Sequence, residues 1–284
     1  MAIQSHGRQW HDFTYCYPVI SRRSGGLSLG INLNPDKACN FDCIYCQVDR
    51  STPGTARKVD LGILKGELDT LLDRAMDHSL FAEAPFDCLP ADRRRVCDIA
   101  FSGDGEPTTC PVFEDAVRVA AEARRNRGLA ETRLVLITDA CYLKKDNVRS
   151  GLKILDENNG EIWAKLDAGT EQYYRLVNRP NYELAHVMEN IMDAARIRPV
   201  VIQSLWMRVH GEPPPRAEVE AYCGRLNDIL SAGGALKLIQ LYTIARRTAE
   251  AYATPLADAE LDAIADRVRS KVSSPVETYY GVSS

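Results

Sequence analysis

From residue 27 onward, short apolar runs alternate with longer stretches of mixed polarity. Runs at Leu27–Leu33, Val96–Ser102, Leu134–Thr138, Ile162–Leu166, Val200–Leu205 and Leu236–Tyr242 each end in a polar or Gly-rich turn, which predicts six strands. Between them apolar residues recur every three or four positions. Leu61, Leu64, Leu68, Leu71 and Leu72 form one such stripe, Val219, Tyr222, Cys223, Leu226 and Ile229 a second, and Leu261, Ile264, Ala265 and Val268 a third. That spacing places one apolar face on each of several helices. Pro111 and Pro214-Pro215 suit first turns, and Gly128 and Gly233-Gly234 suit helix ends. Asn181 is an expected N-cap for a helix running through Met192. Ser79–Arg95, broken by Pro85 and Pro90, is expected to be a connecting loop.

Strands alternating with helices predict an α/β chain with a parallel sheet and right-handed crossovers. Six such units fall short of the eight that close a barrel. Residues 1–26 read as an N-terminal extension, 27–250 as the core, and 251–284 as a C-terminal helix and short tail. No fixed-period repeat or low-complexity segment interrupts this order.

Composition narrows the class. The chain has 284 residues, 45% hydrophobic and 26% charged, ordinary for a globular protein with a sizeable core. No apolar run reaches the roughly 20 residues of a membrane span, and the first ten residues carry no apolar leader. A cytoplasmic protein is expected. Nine cysteines, an odd number with three clustered, argue against a secreted disulfide framework. The net charge of −4 argues against a nucleic-acid partner without excluding a local basic face. The turn Ser21-Arg22-Arg23-Ser24-Gly25-Gly26 is either a small anion-binding hook or a solvated loop.

The clustered cysteines carry the chemistry. Cys39, Cys43 and Cys46 follow the first strand in the order C-x3-C-x2-C, with Tyr45 just before the third. Three thiolates hold either a [4Fe–4S] cluster with one iron open or, with a distant His or Cys, a structural zinc. The second strand runs into Ser102-Gly103-Asp104-Gly105-Glu106-Pro107-Thr108. A Gly-rich turn lets backbone approach a ligand, and a carboxylate there accepts charge-assisted bonds from an ammonium.

These two segments resemble the radical S-adenosylmethionine (SAM) enzymes. The resemblance implies a partial (βα)6 TIM-like barrel over residues 27–250, with a [4Fe–4S] cluster on Cys39, Cys43 and Cys46. It implies SAM on the open iron through its amine and carboxylate. One electron then cleaves the sulfonium to methionine and a 5′-deoxyadenosyl radical, which abstracts hydrogen from a substrate. Glu106 takes the role of the residue that holds the methionyl ammonium, with Gly103, Asp104 and Gly105 shaping its loop. Further cofactor-contact candidates lie at later strand ends. Thr138 and Asp139 follow the third, where relatives often read Thr-Asn and a capping role for Asp139 stays open. Lys165 and Asp167 share one face of the fourth, as SAM contacts or as a buried structural pair. Gln203 and Ser204 lie on the fifth, with Arg208 as a candidate for a substrate anion and His210 read as a surface loop residue. Tyr242 and Arg246 follow on the sixth.

Asn34–Val48 together with Ser-Gly-Asp-Gly-Glu-Pro-Thr look most like the wybutosine-synthase-like branch. Its tRNA enzymes ligate a second cluster through upstream cysteines, and here only Cys16 lies upstream. The cofactor chemistry is therefore expected without the tRNA substrate. The implied partners are a flavodoxin- or ferredoxin-like electron donor and a small-molecule substrate. An activase that installs a glycyl radical on a partner protein, a tRNA modifier, and a non-enzymatic iron–sulfur carrier or zinc scaffold stay open as alternatives.

Overall fold

The computed structural model describes residues 10–55 and 58–281. The first nine residues, which include most of the segment read as lacking an apolar leader, and residues 282–284 of the expected tail lie outside this range. Among the described residues nine strands form the sheet, in the order β1 (Cys16–Ser21), β2 (Gly26–Ile31), β3 (Val96–Phe101), β4 (Arg133–Thr138), β5 (Gly160–Lys165), β6 (Val200–Val209), β7 (Leu236–Thr243) and β9 (Val276–Tyr279), with β8 (Ala253–Pro255) paired to β6. The six strands expected from the apolar runs are β2 (Gly26–Ile31), β3 (Val96–Phe101), β4 (Arg133–Thr138), β5 (Gly160–Lys165), β6 (Val200–Val209) and β7 (Leu236–Thr243). Each is followed by at least one helix, so the succession of six βα units stands. The fold is an α/β partial TIM-like barrel. The chain divides into two compact units.

The first unit comprises Met1–Cys39, Arg50–Ile137 and Lys144–Ile162. It opens with β1 (Cys16–Ser21), which lies in the stretch read as an extension and pairs antiparallel with β2. The Arg-Arg segment is the turn between them: the Ser24 N–H donates to Ser21 Oγ at 3.1 Å and the Gly25 N–H to the Ser21 carbonyl at 3.0 Å. β2 and β3 pair in parallel, as do β3 and β4. The helices α1 (Leu61–Met76), α2 (Phe113–Asn126) and α3 (Asp146–Asp156) follow these strands. Asp60 starts α1 by accepting the Gly62 and Ile63 N–H groups, and Leu64, Leu68, Leu71 and Leu72 are fully buried. Ser79–Arg95 is more ordered than a plain loop. It holds three short 3-10 turns and buries Leu80, Phe81, Phe86 and Leu89.

The second unit comprises Asn40–Asp49, Thr138–Leu143 and Trp163–Ser284. β5 pairs in parallel with β6 (Lys165 opposite Gln203), β6 with β7 (Gln203 opposite Gln240), and β7 with β9 (Val276–Tyr279). β8 (Ala253–Pro255) runs antiparallel to the end of β6. The helices are α4 (Glu171–Asn178), α5 (Leu184–Ile197), α6 (Arg216–Ser231) and α7 (Asp258–Lys271). The stripes expected on α6 and α7 are buried. Asn181 does not cap α5, whose N-cap is Glu183; the Asn181 N–H donates instead to the Asn40 carbonyl at 3.3 Å. The helix thus starts two residues later than the capping rule predicts.

Candidate functional site

The end of β5 builds a buried polar network in the second unit. Lys165 and Asp167 lie two residues apart and reach the same partners. Lys165 Nζ stands 3.2 Å from Asp167 Oδ1 and 2.9 Å from Tyr242 Oη on β7. It also lies over two rings, 5.0 Å from the Tyr45 centroid and 5.5 Å from that of Tyr242, which attracts a cation further. Asp167 is 2% exposed. Its Oδ1 also accepts the Leu205 N–H at 2.8 Å, and its Oδ2 accepts from Tyr45 Oη and from Asn178 Nδ2 at 3.0 Å. Burial pulls the Lys165 pKa down, but Asp167 and Tyr242 more than reverse this and hold it above the ordinary lysine value. Burial, then the Asp167 charge, pushes the Tyr45 phenol well above its usual range. Tyr45 is therefore a neutral donor and Lys165 an ammonium at pH 7.

The cysteine loop joins this network through its middle. Cys46 N–H closes a turn onto the Cys43 carbonyl at 3.0 Å. Two segments brace the loop: the Ile44 N–H donates to Val177 at the end of α4, and Ala249 and Glu250 donate to the carbonyls of Cys46 and Ile44 at 2.7 and 3.1 Å. Asn178 Nδ2 lies 3.6 Å from Cys43 Sγ and 2.8 Å from Tyr45 Oη. Cys43 is half-buried as a residue. Its sulfur is packed closely enough that burial pushes the thiol up to about 12, against the pull of Tyr45, Lys165 and Asn178.

In the first unit the Gly-rich loop is fitted to the chain leading out of β2. A Cβ on Gly103 would stand 2.3 Å from Asn32 Oδ1, and one on Gly105 would stand 2.0 Å from the Ala38 carbonyl. Only glycine permits that approach. Asp104 is fixed by Asn32, whose Nδ2 donates to Oδ2 at 2.8 Å while its Oδ1 accepts the Asp104 N–H at 3.1 Å. Glu106 is 3% exposed and caps the short turn at Pro107–Thr109, its Oε1 accepting the Thr108 N–H at 3.0 Å.

The remaining candidates divide. Gln203 is buried and donates to Gln240 Oε1 at 2.8 Å across β6 and β7. Thr138 Oγ1 and Asp139 Oδ1 each accept a backbone N–H two residues on, at 2.9 Å. Asp139 thus shapes a turn in which Ala140 has φ 66°, and α3 begins only at Asp146. Asn190 on α5 pins that turn through the Ala140 and Cys141 carbonyls. Arg208 is bound to Glu260 and to the Gly211 carbonyl at 2.5 and 2.6 Å. His210 stacks on Tyr252, and Arg246 Nη1 reaches Gln47 Oε1 at 3.3 Å. Asn178, which touches Cys43, Tyr45 and Asp167, carries almost no signal in the sequence. Its only sequence mark is its place before Arg-Pro at a helix end.

Cys39, Cys43 and Cys46 are reduced, half-buried cysteines, a soft donor set suited to an iron–sulfur cluster or zinc. Among the described residues, no group of three or more His, Cys, Asp or Glu side chains stands in a metal-holding arrangement. The fit to a cluster rests on the donor chemistry and on the amide hydrogen bond at Cys43.

No protein-family model matches the chain. It is 27% identical over 249 residues to the GTPase Obg of Brachyspira hyodysenteriae, a match covering 86% of this chain and 32% of that protein. It is 26% identical over 176 residues to a UPF0026 protein of Methanocaldococcus jannaschii, covering 62% and 46%. A UPF0026 protein of Helicobacter pylori is 24% identical over 182 residues, covering 63% and 51%. The chain thus matches about a third to a half of the length of these relatives. Among solved structures, Streptococcus suis SuiB bound to S-adenosylmethionine superposes with a TM-score of 0.60 at 12% identity, over 91% of this chain and 52% of that one. TYW1 with a lysine–pyruvate adduct bound gives 0.56 at 13%, over 88% and 74%. Spore photoproduct lyase complexed with dinucleoside spore photoproduct gives 0.51 at 10%, over 90% and 64%. At these identities the likeness is one of fold, and that fold is the one used by radical SAM enzymes.

Proposed function

We propose that the chain is a radical SAM enzyme acting on a small molecule. Cys39, Cys43 and Cys46 would hold a [4Fe–4S] cluster, three thiolates being one fewer than full ligation takes. The group would supply the electron for reductive cleavage of the sulfonium. The observation that carries this reading is the buried network around Tyr45, the aromatic residue of the cysteine motif. Tyr45 donates to Asp167, which in turn holds Lys165 as an ammonium beside Tyr242. A loop serving only as a zinc knot has no need of a buried cation and two phenols.

In this reading Lys165 and Tyr242 offer an ammonium and a hydroxyl to an anionic or hydroxylated part of SAM or substrate. Asp167 fixes their orientation, and burial keeps water from competing. Glu106, oriented by Thr108, is assigned to the methionyl ammonium, with Gly103, Asp104 and Gly105 holding the loop. Thr138, Asp139 and Gln203 stay in the same proposal as polar contacts to the cofactor. A flavodoxin- or ferredoxin-like protein would supply the electron. The lysine–pyruvate adduct of TYW1 is not carried over to Lys165, because adduct formation needs a neutral amine and Lys165 is held charged.

The test is anaerobic. The protein is loaded with iron and sulfide, given SAM and dithionite, and 5′-deoxyadenosine is measured beside a Cys43→Ala control. Deoxyadenosine from the wild type alone is expected. A fully loaded wild type that forms none would overturn the proposal.

A further inference from the structure

The cysteine loop is built onto the end of α4. The last carbonyls of a helix lack partners inside it. Here the Ile44 N–H donates to the Val177 carbonyl at 3.0 Å and the Asp42 N–H to the Asn178 carbonyl at 3.2 Å. Arg179, with φ 43°, then turns the chain away. The side chain of the last helical residue reaches back to the same loop. Asn178 Nδ2 faces Tyr45 Oη at 2.8 Å, Asp167 Oδ2 at 3.0 Å and Cys43 Sγ at 3.6 Å.

An amide nitrogen carries two hydrogens. The Tyr45 hydroxyl and the Asp167 oxygen are joined by their own hydrogen bond, so one N–H can be shared between them while the other points to the sulfur. The carboxylate also fixes which way the amide is turned, since a carbonyl oxygen there would face a negative charge. A thiolate at this place meets two unfavourable neighbours, the negative end of a helix and a buried carboxylate. The Asn178 N–H offsets both without adding a charge.

We propose that Asn178 is a positioning residue for Cys43, its amide N–H donating to the ligand sulfur and stabilising the reduced state of the cluster that sulfur holds. This rests on reading the three cysteines as cluster ligands. Hydrogen bonds to ligand sulfurs help set a cluster's reduction potential, and a donor favours the more electron-rich state. Removing it should lower the potential.

The experiment is a redox titration of the reconstituted full chain, without SAM, following the reduced cluster by electron paramagnetic resonance. Wild type is compared with Asn178→Leu, which removes the donor, and Asn178→Asp, which places a carboxylate there. A lower midpoint potential is expected in Asn178→Leu and a lower one still in Asn178→Asp. Wild-type potentials in both variants would overturn the role of Asn178 while leaving the enzyme reading intact. A wild type that takes up no cluster would bring down the enzyme reading, and this inference with it. If a variant fails to load, its apo form is melted beside the apo wild type. An unchanged melting temperature supports positioning of Cys43, and a collapsed one assigns Asn178 a purely structural role and overturns the proposal.

Discussion

Asp167 and Asp98 are both almost fully buried, and they are satisfied differently. Asp167 has four donors on its two oxygens, one of them an ammonium. Asp98, on β3, accepts from Ser28, and its Oδ2 has the Arg133 guanidinium only at 3.8 Å. Burial therefore wins at Asp98 and raises its pKa, with Ser24, Ser28, Arg133 and Arg23 pulling the other way. A carboxyl whose folded pKa is raised favours folding below its unfolded pKa, and that contribution is lost as pH rises through the folded value. Asn mimics the protonated form. Asp98→Asn is thus expected to be more stable than wild type at pH 7, with the gap closing as pH falls through the raised folded value and gone below about 3.9, the ordinary aspartate value. Urea denaturation at pH 7 and pH 3.5 checks this, and a variant less stable at pH 7 would contradict it. Lys165 and Asp167 were legible in the sequence because charges two apart in an apolar strand share a face and need partners. Asn178 was not, because its contact with Cys43 spans 135 residues and no local pattern encodes it.

Among the elements, the six central strands were legible because each is a short apolar run ended by a turn. β1 was obscured by its setting among aromatic and basic residues, and β8 and β9 are too short, at three and four residues, to carry a period. The hold on β1 is also invisible in sequence. Glu67 on α1 is buried, and its carboxylate accepts the N–H groups of Thr14, Tyr15 and Cys16 at 2.7, 2.8 and 2.9 Å. A buried charge inside a leucine-rich helix is tolerated because three backbone donors surround it. Glu67→Ala leaves those donors without an acceptor and should cost about 3 kcal/mol, the range for losing bonds to a charged group. Glu67→Gln keeps one oxygen and should cost less. Equilibrium unfolding ranks the three proteins, and an Ala variant as stable as wild type would show that β1 is held by pairing with β2 alone.

At the scale of the whole chain, composition and the order of elements led to the correct fold class, because six βα repeats leave few topologies open. The class of substrate cannot be read that way, since one fold hosts many reactions. Charge is the whole-molecule property that bears on it. The chain has 35 Lys and Arg against 39 Asp and Glu. Several arginines are matched locally, with Arg127 on Asp69 and Asp73, Arg208 on Glu260, and Arg267 on Glu220. Phosphate backbones are bound by cations that release counterions, so an RNA substrate would need basic groups not already engaged in ion pairs. The purified protein is therefore expected to carry no RNA and to show no tRNA binding in a filter or gel-shift assay near 0.15 M salt. The same assay at lower salt gives the discriminating slope. Binding that persists at 0.15 M and weakens steeply with added salt would replace the small-molecule reading with a nucleic-acid substrate. Absence of binding at both salts would remove the nucleic-acid alternative and keep the small-molecule proposal beside that of a protein partner.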